Sequence, residues 1–152
     1  MANTFTCIYL HIVFGVKNRY CQLPYHELPR LHTYLRNAIN ARGHKAIAVG
    51  GIQNHLHILL SYSGKELISD LVKALKVNST NFINENRMIP GRFAWQRGYG
   101  CFSCSYSQVD RVRGYIVNQE EHHRYHSMKE ELMRILDGYG VSYDEKYLIE
   151  ED

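Results

Sequence analysis

The chain opens on an alternation. Ile8, Leu10, Ile12 and Phe14 stand against Cys7, Tyr9, His11 and Val13 in a stretch rich in β-branched and aromatic residues. Successive side chains of a strand leave opposite faces, so this spacing predicts a long first strand over residues 4–16. After the Gln22-Leu23-Pro24 break the period changes. Leu28, Leu31, Leu35, Ala38 and Ile39 recur at three- and four-residue spacing and predict a helix over about 25–42, which Gly43 closes. Two short apolar runs, 44–52 and 55–62, are separated by the turn-compatible pair Gln53-Asn54 and predict a hairpin. Leu67, Ile68, Leu71, Val72 and Leu75 then form the stripe of a second helix, with Lys73 and Lys76 lying off it. The stretch 84–106, with Pro90, Gly91, Gly98 and Gly100, reads as a loop leading to a last strand near 100–105. Val109, Val112 and Ile116 seed a third helix over about 107–122, and 129–136 reads as a short fourth. The order strand, helix, strand, strand, helix matches the split β-α-β plan. The expected class is α+β, a ferredoxin-like antiparallel sheet with helices on one face.

Composition narrows the setting. The 152 residues are 45% hydrophobic and 22% charged, near the average of a globular domain, and the length suffices for one core without disulfides or a structural metal. A single domain over 1–152 is expected. Net charge is +3, unevenly spread: from about residue 142 the chain carries Asp144, Glu145, Glu150, Glu151 and Asp152 against Lys146 alone, an acidic tail on a basic body. That sign permits nucleic acid as a partner. No apolar run approaches the ~18–20 residues of a membrane span, and the start lacks the features of a signal peptide, so the expectation is a cytoplasmic protein with no membrane partner. Of the four cysteines, Cys7, Cys21, Cys101 and Cys104, only the last two have a C-x-x-C spacing, and a reduced, packed role is favoured over a metal site.

Candidate chemistry centres on Asn54-His55-Leu56-His57-Ile58-Leu59-Leu60. Residues two apart on a strand share a face, so His55 and His57 stand together while Leu56, Ile58 and Leu60 face the core. Two imidazoles on a rigid strand make half of a metal site. The same pair also fits two polar residues on an open sheet face. On the third helix Tyr115 and Gln119 are four apart and lie one above the other, on a polar stripe with Arg111 and His122, with Ile116 packing the opposite side. Lys17, Arg19, Lys73, Lys76, Arg97 and Arg111 are candidate phosphate contacts, and exposed tyrosines or Trp95 are candidates for stacking bases.

These motifs together resemble the HUH single-tyrosine transposases, the TnpA type of the insertion-sequence 200/605 group. The resemblance is carried by His55-Leu56-His57, by His11-Ile12-Val13-Phe14 ahead of Lys17 and Arg19, by Trp95-Gln96-Arg97-Gly98-Tyr99-Gly100, and by Tyr115-Ile116-Val117-Asn118-Gln119 ahead of Glu120-Glu121-His122-His123. It implies that Tyr115 is the nucleophile and that His55, His57 and Gln119 are metal ligands. It further implies a transposase that cleaves and rejoins single-stranded DNA at hairpin-marked element ends through a 5′-phosphotyrosine, using Mg²⁺ or Mn²⁺, in a bacterial or archaeal cell. Two imidazole ligands favour Mn²⁺ over Mg²⁺ on ligand chemistry. A homodimer whose active sites are shared between subunits is implied as well. The alternatives are a hairpin-binding regulator that does not cut, a water-using phosphoesterase that needs no tyrosine, and a host-domesticated transposase that processes palindromes. His11 reads as structural, and His122 as solvated surface in preference to a phosphate contact.

Overall fold

The structure is a computed structural model and describes residues 3–119 and 127–144. Four strands, β1 (Tyr9–Gly15), β2 (Lys45–Ile52), β3 (His55–Ser61) and β4 (Gly100–Cys104), form one sheet in the order β2-β3-β1-β4. Every pairing is antiparallel, as a ferredoxin-like sheet requires. Among the described residues the α-helices are α1 (Leu28–Ala41), α2 (Ile68–Glu85), α3 (Val109–Val117) and α4 (Met128–Gly138). No helix among the described residues is long and apolar enough to cross a membrane.

Element ends follow from partners and caps. The first strand is shorter than its alternation predicts, because β3 and β4 offer ladder partners only from Tyr9 to Gly15, and Phe5 is left exposed. Gly43 follows α1 with φ +88°, the left-handed conformation that ends a helix at low cost in glycine. The Gln53-Asn54 turn is tied down by Val16 and Leu23, whose backbone N–H groups donate to the Asn54 and Gln53 carbonyls. This fixes the register in which β3 begins at His55. The third helix is preceded by a one-turn segment capped by a reciprocal pair between Ser105 and Gln108. Its regular run closes at Val117, with Asn118 as its cap, and the remainder of the predicted span, 120–122, lies outside the described residues.

Strand alternation divides the sheet into two faces. Leu10, Ile12, Phe14, Leu56, Ile58 and Leu60 pack with α1 and α2 into the main core. His11, Val13, His55, His57 and Leu59 occupy the other face, as expected for the histidines. The expectation of helices on one face holds for α1 and α2 and requires extension: α3 and α4 cover the histidine face. Ile116 of α3 packs on Ala48 and Leu59, and Met128 of α4 packs on Val13 and Phe102. The cause is visible in β1 and β3, where Val13 and Leu59 alternate with the histidines and leave apolar surface that must be buried.

Close approach of α3 to the sheet depends on Gly50. A Cβ there would stand 2.5 Å from the Ile116 carbonyl oxygen, closer than any packed backbone allows. Gly50→Ala is expected to lift α3 at a cost of about 1–3 kcal/mol of stability. Because α3 carries Tyr115, a displacement near 1 Å is expected to slow any chemistry on that residue by about 100-fold. Thermal melts and single-turnover rates measured on the same preparation check both effects.

Candidate active site

The histidines sit under α3 and α4 rather than on an open face: His55 is 2% exposed and His57 is fully buried. Each imidazole is held at Nδ1. His55 Nδ1 lies 2.8 Å from Asn54 Oδ1, and His57 Nδ1 lies 2.8 Å from Nε2 of His11. The Nε2 atoms point into the space between sheet and helices. There His55 Nε2 meets Gln119 Oε1 at 3.0 Å, and His57 Nε2 meets Glu131 Oε1 at 2.6 Å. Gln119 Nε2 donates to the Tyr115 carbonyl at 3.1 Å, which turns the amide oxygen towards His55.

Tyr115 closes the cluster. Its ring stands 5.6 Å from that of His57, edge to face at 87°. Its hydroxyl is hydrogen-bonded to the Glu131 carboxylate, and its acidity is weakened first by burial and then by that bond and the carboxylate's charge. Gln119 and Arg134 act in the opposite sense. The hydroxyl is therefore held well above the usual tyrosine range and stays protonated at neutral pH. Burial, with the neighbouring His57, pushes the His11 imidazole down to about 3.

The atoms fit a divalent cation. One ligand atom each from His55, His57 and Glu131 lies within 4.8 Å of the others, all three residues buried. His57 Nε2 makes no aligned hydrogen bond among the described residues, although a carboxylate oxygen is 2.6 Å away. Two electron-rich atoms at that distance without a proton aligned between them repel, and a cation shared by them removes the repulsion. Two imidazole nitrogens with carboxylate and amide oxygens make a donor set suited to a divalent ion.

The residues proposed from sequence are thus distributed unevenly. Tyr115, His55, His57 and Gln119 come together at one point, and the Tyr115 and Gln119 of one chain reach that chain's own histidines. The expectation that Tyr115 lies on a polar stripe, away from the buried side, is corrected: α3 is roofed onto the sheet, so Tyr115 beside Ile116 also faces inward. Lys17, Arg19, Lys73, Arg97 and Arg111 are exposed and able to meet phosphates. Lys76 is corrected, because its ammonium donates to the backbone carbonyls of Gln96 and Gly98 and lies over the Phe14 ring at 5.3 Å; it braces α2 against the 96–98 loop. Trp95 is a core residue whose indole N–H donates to Ser79, which removes it as a base-stacking platform. Cys101 packs towards the main core and Cys104 towards α3, on opposite faces of β4, so they form no C-x-x-C metal site. His122 and His123 lie outside the described residues.

Glu131 escaped the sequence reading. In α4 it stands among Lys129, Glu130 and Arg134 and reads as one more solvated charge. The available signal was its spacing, three after Met128 and four before Ile135, which puts a carboxylate on the apolar face.

Comparison with known proteins turns this geometry into an identity. Residues 4–119 match the model of the family described as "Transposase IS200 like". The chain belongs to the IS200-like transposase family. The matched stretch holds His55, His57, Tyr115 and Gln119, whereas Glu131 lies beyond it. No match is found among curated protein sequences. Among solved structures, a candidate transposase from Deinococcus radiodurans R1 is 23% identical, with a TM-score of 0.59 over 78% of this chain and 96% of its own. A REP-associated tyrosine transposase bound to a REP hairpin is 13% identical, with a TM-score of 0.60 over 100% of this chain and 93% of its own. At these identities the likeness bears on the fold, which the three chains share.

Proposed function

We propose that this IS200-like transposase cleaves and rejoins single-stranded DNA through a covalent bond between Tyr115 and a 5′-phosphate. One observation carries the reading: the Tyr115 hydroxyl is hydrogen-bonded to Glu131, whose carboxylate oxygen is 2.6 Å from the Nε2 of His57, so a nucleophile and a metal-ligand set form one cluster. In the first step the Tyr115 oxygen attacks phosphorus, the bond to O3′ breaks and the 3′ oxygen leaves, taking up a proton. Attack of another 3′-hydroxyl on the phosphotyrosine joins the strands and returns Tyr115. Each step exchanges one phosphodiester for another, so no ATP is consumed.

Tyr115 needs help because its hydroxyl is held protonated. Glu131 accepts its hydrogen bond and is positioned to take its proton as the bond to phosphorus forms. His55 and His57, with Glu131 and the Gln119 amide oxygen, would hold Mg²⁺ or Mn²⁺; when bound, such an ion neutralises phosphate charge and orients the phosphate for in-line attack. Imidazole ligands lean the site towards Mn²⁺. The exposed Lys17, Arg19, Lys73, Arg97 and Arg111 supply backbone contacts for a strand. A cleft of about 250 Å³ between α4 and the 96–100 segment, lined by Arg97 and Tyr99, opens beside Gly15, the ladder partner of His55. Hairpin DNA as the recognised form is supported by the fold shared with a transposase solved on a REP hairpin. Palindrome processing by a domesticated enzyme is the second reading; its chemistry is the same and its substrate differs.

The test is a denaturing gel of the full chain with labelled single-stranded oligonucleotides from the DNA flanking its own gene, with and without Mg²⁺ or Mn²⁺. A metal-dependent band of lower mobility that proteinase removes is expected. Cleaved DNA without that band supports the water-using phosphoesterase, and bound but uncut DNA supports the regulator. A homodimer exchanging α3 would bring the same groups to a partner's histidines. Mixing Tyr115→Phe with His57→Ala protein decides this: regained activity means shared sites, and none means that each chain uses its own.

A further inference from the structure

The cleft beside the catalytic cluster has one braced wall and one apolar wall. The braced wall is the segment 96–100. Gln96 donates its backbone N–H to the Gly15 carbonyl at 2.8 Å, and the Lys76 ammonium donates to the carbonyls of Gln96 and Gly98. The chain turns at Gly98, where φ is +83°, and Arg97 and Tyr99 on either side of the turn line the cleft. Tyr99 is 43% exposed. The opposite wall is the face of α4 that carries Met128, Leu132 and Leu136, packed over Val13. Gly15 keeps the floor open between them: a Cβ there would stand 3.2 Å from Met128 Cε and 3.5 Å from Gln96 Oε1, pressing on both walls. From Gly15 the floor runs to its ladder partner His55, about 5 Å across the sheet.

We propose that this cleft is a base pocket, which takes one unstacked nucleobase of the strand being cut, with Tyr99 against one face of the ring and Met128 and Leu132 against the other. The inference rests on the transposase reading of the site and adds to it a determinant of where the strand is cut. The volume of about 250 Å³ lies below the roughly 300–1,000 Å³ of sites for drug-sized ligands and suits a single flat ring system. Apolar walls match the faces of a base, and Arg97 supplies donors to its edge. No carboxylate lines the cleft among the described residues, and its one charged group is Arg97, as a polyanion requires. A base paired and stacked in a duplex cannot enter such a slot without being extruded, so the pocket favours single strands.

Binding by the full-length Tyr115→Phe chain without metal reads the pocket apart from the chemistry. Fluorescence anisotropy is measured with labelled single-stranded oligonucleotides from the DNA flanking the gene, each nucleotide being replaced in turn by an abasic one. One position, within two nucleotides of the cut made by the wild type, is expected to lose about 5–150-fold in affinity, the worth of one base stacked on an aromatic ring. Adding Tyr99→Ala is expected to weaken the intact strand by the same factor and to leave the strand abasic at that position unaffected. Leu132→Trp, which fills the cleft from α4, is expected to do likewise. Absence of any sensitive position, or a sensitivity that survives Tyr99→Ala, overturns the pocket even where the wild type cuts DNA through its tyrosine. Base-dependent affinity that Tyr99→Ala abolishes, in a protein whose wild type never cuts, leaves the pocket standing and removes the cleavage reading. A chain that binds none of the oligonucleotides overturns both. Should Leu132→Trp not fold, the exposed Tyr99 still decides the question.

Discussion

Tyr115→Phe is expected to fold like the wild type and to lose cleavage by roughly 10⁴-fold or more, the scale on which removal of a nucleophile acts. The substitution deletes one oxygen. The ring keeps its place against Ala48, Leu59 and Ile116, and its edge-to-face contact with His57 remains. What is lost is the hydrogen bond to Glu131, which costs at most about 1.5–3 kcal/mol even for a charged acceptor. A single-turnover assay beside a thermal melt therefore separates chemistry from folding. DNA retention in a native gel is expected to be unchanged, since Lys17, Arg19 and Arg97 are untouched. Wild-type cleavage by Tyr115→Phe would transfer the reaction to water.

The second large effect is loss of His57. His57→Ala removes the ring that touches His11, Glu131 and Tyr115 together, so no cleavage is expected, with Mn²⁺ affinity reduced by more than the roughly 10–100-fold of a supporting residue. The vacated space lies at full burial and also costs stability, which calls for a control that spares the fold. Stripping the wild type with a chelator serves: it is expected to abolish cleavage without unfolding the chain, and added Mn²⁺ to restore it. A chelated protein that cuts at full rate would show that the histidines serve another purpose.

Much of this arrangement was legible in the sequence because two periodicities carry it. The alternation around His55 and His57 placed both on the face opposite Leu56, Ile58 and Leu60, and the four-residue interval aligned Gln119 with Tyr115. The covering of that face was not legible. Val109, Val112 and Ile116 suggested a single buried side for α3, whereas a short helix laid flat on a sheet also turns the neighbouring position inward, which is where Tyr115 lies. Glu131 was hidden for a different reason. A carboxylate on a helix surrounded by charges is ordinary, and only the position of α4 across Val13 and Phe102 makes this one buried. Lys76 erred in the opposite direction, since a lysine off an apolar stripe looks free until the carbonyls of Gln96 and Gly98 come within its reach. Side-chain roles set by contacts between distant segments are what local patterns omit.

The central claim is that Tyr115 itself becomes joined to DNA, and peptide mass spectrometry tests it most directly. The full chain is incubated with Mn²⁺ and a single-stranded substrate, digested with protease and nuclease, and searched for a nucleotide-bearing peptide. The account predicts one modified peptide, carrying a 5′-linked nucleotide on Tyr115. Cut DNA with unmodified Tyr115, or an adduct on Tyr99, Tyr106 or another residue, would contradict it.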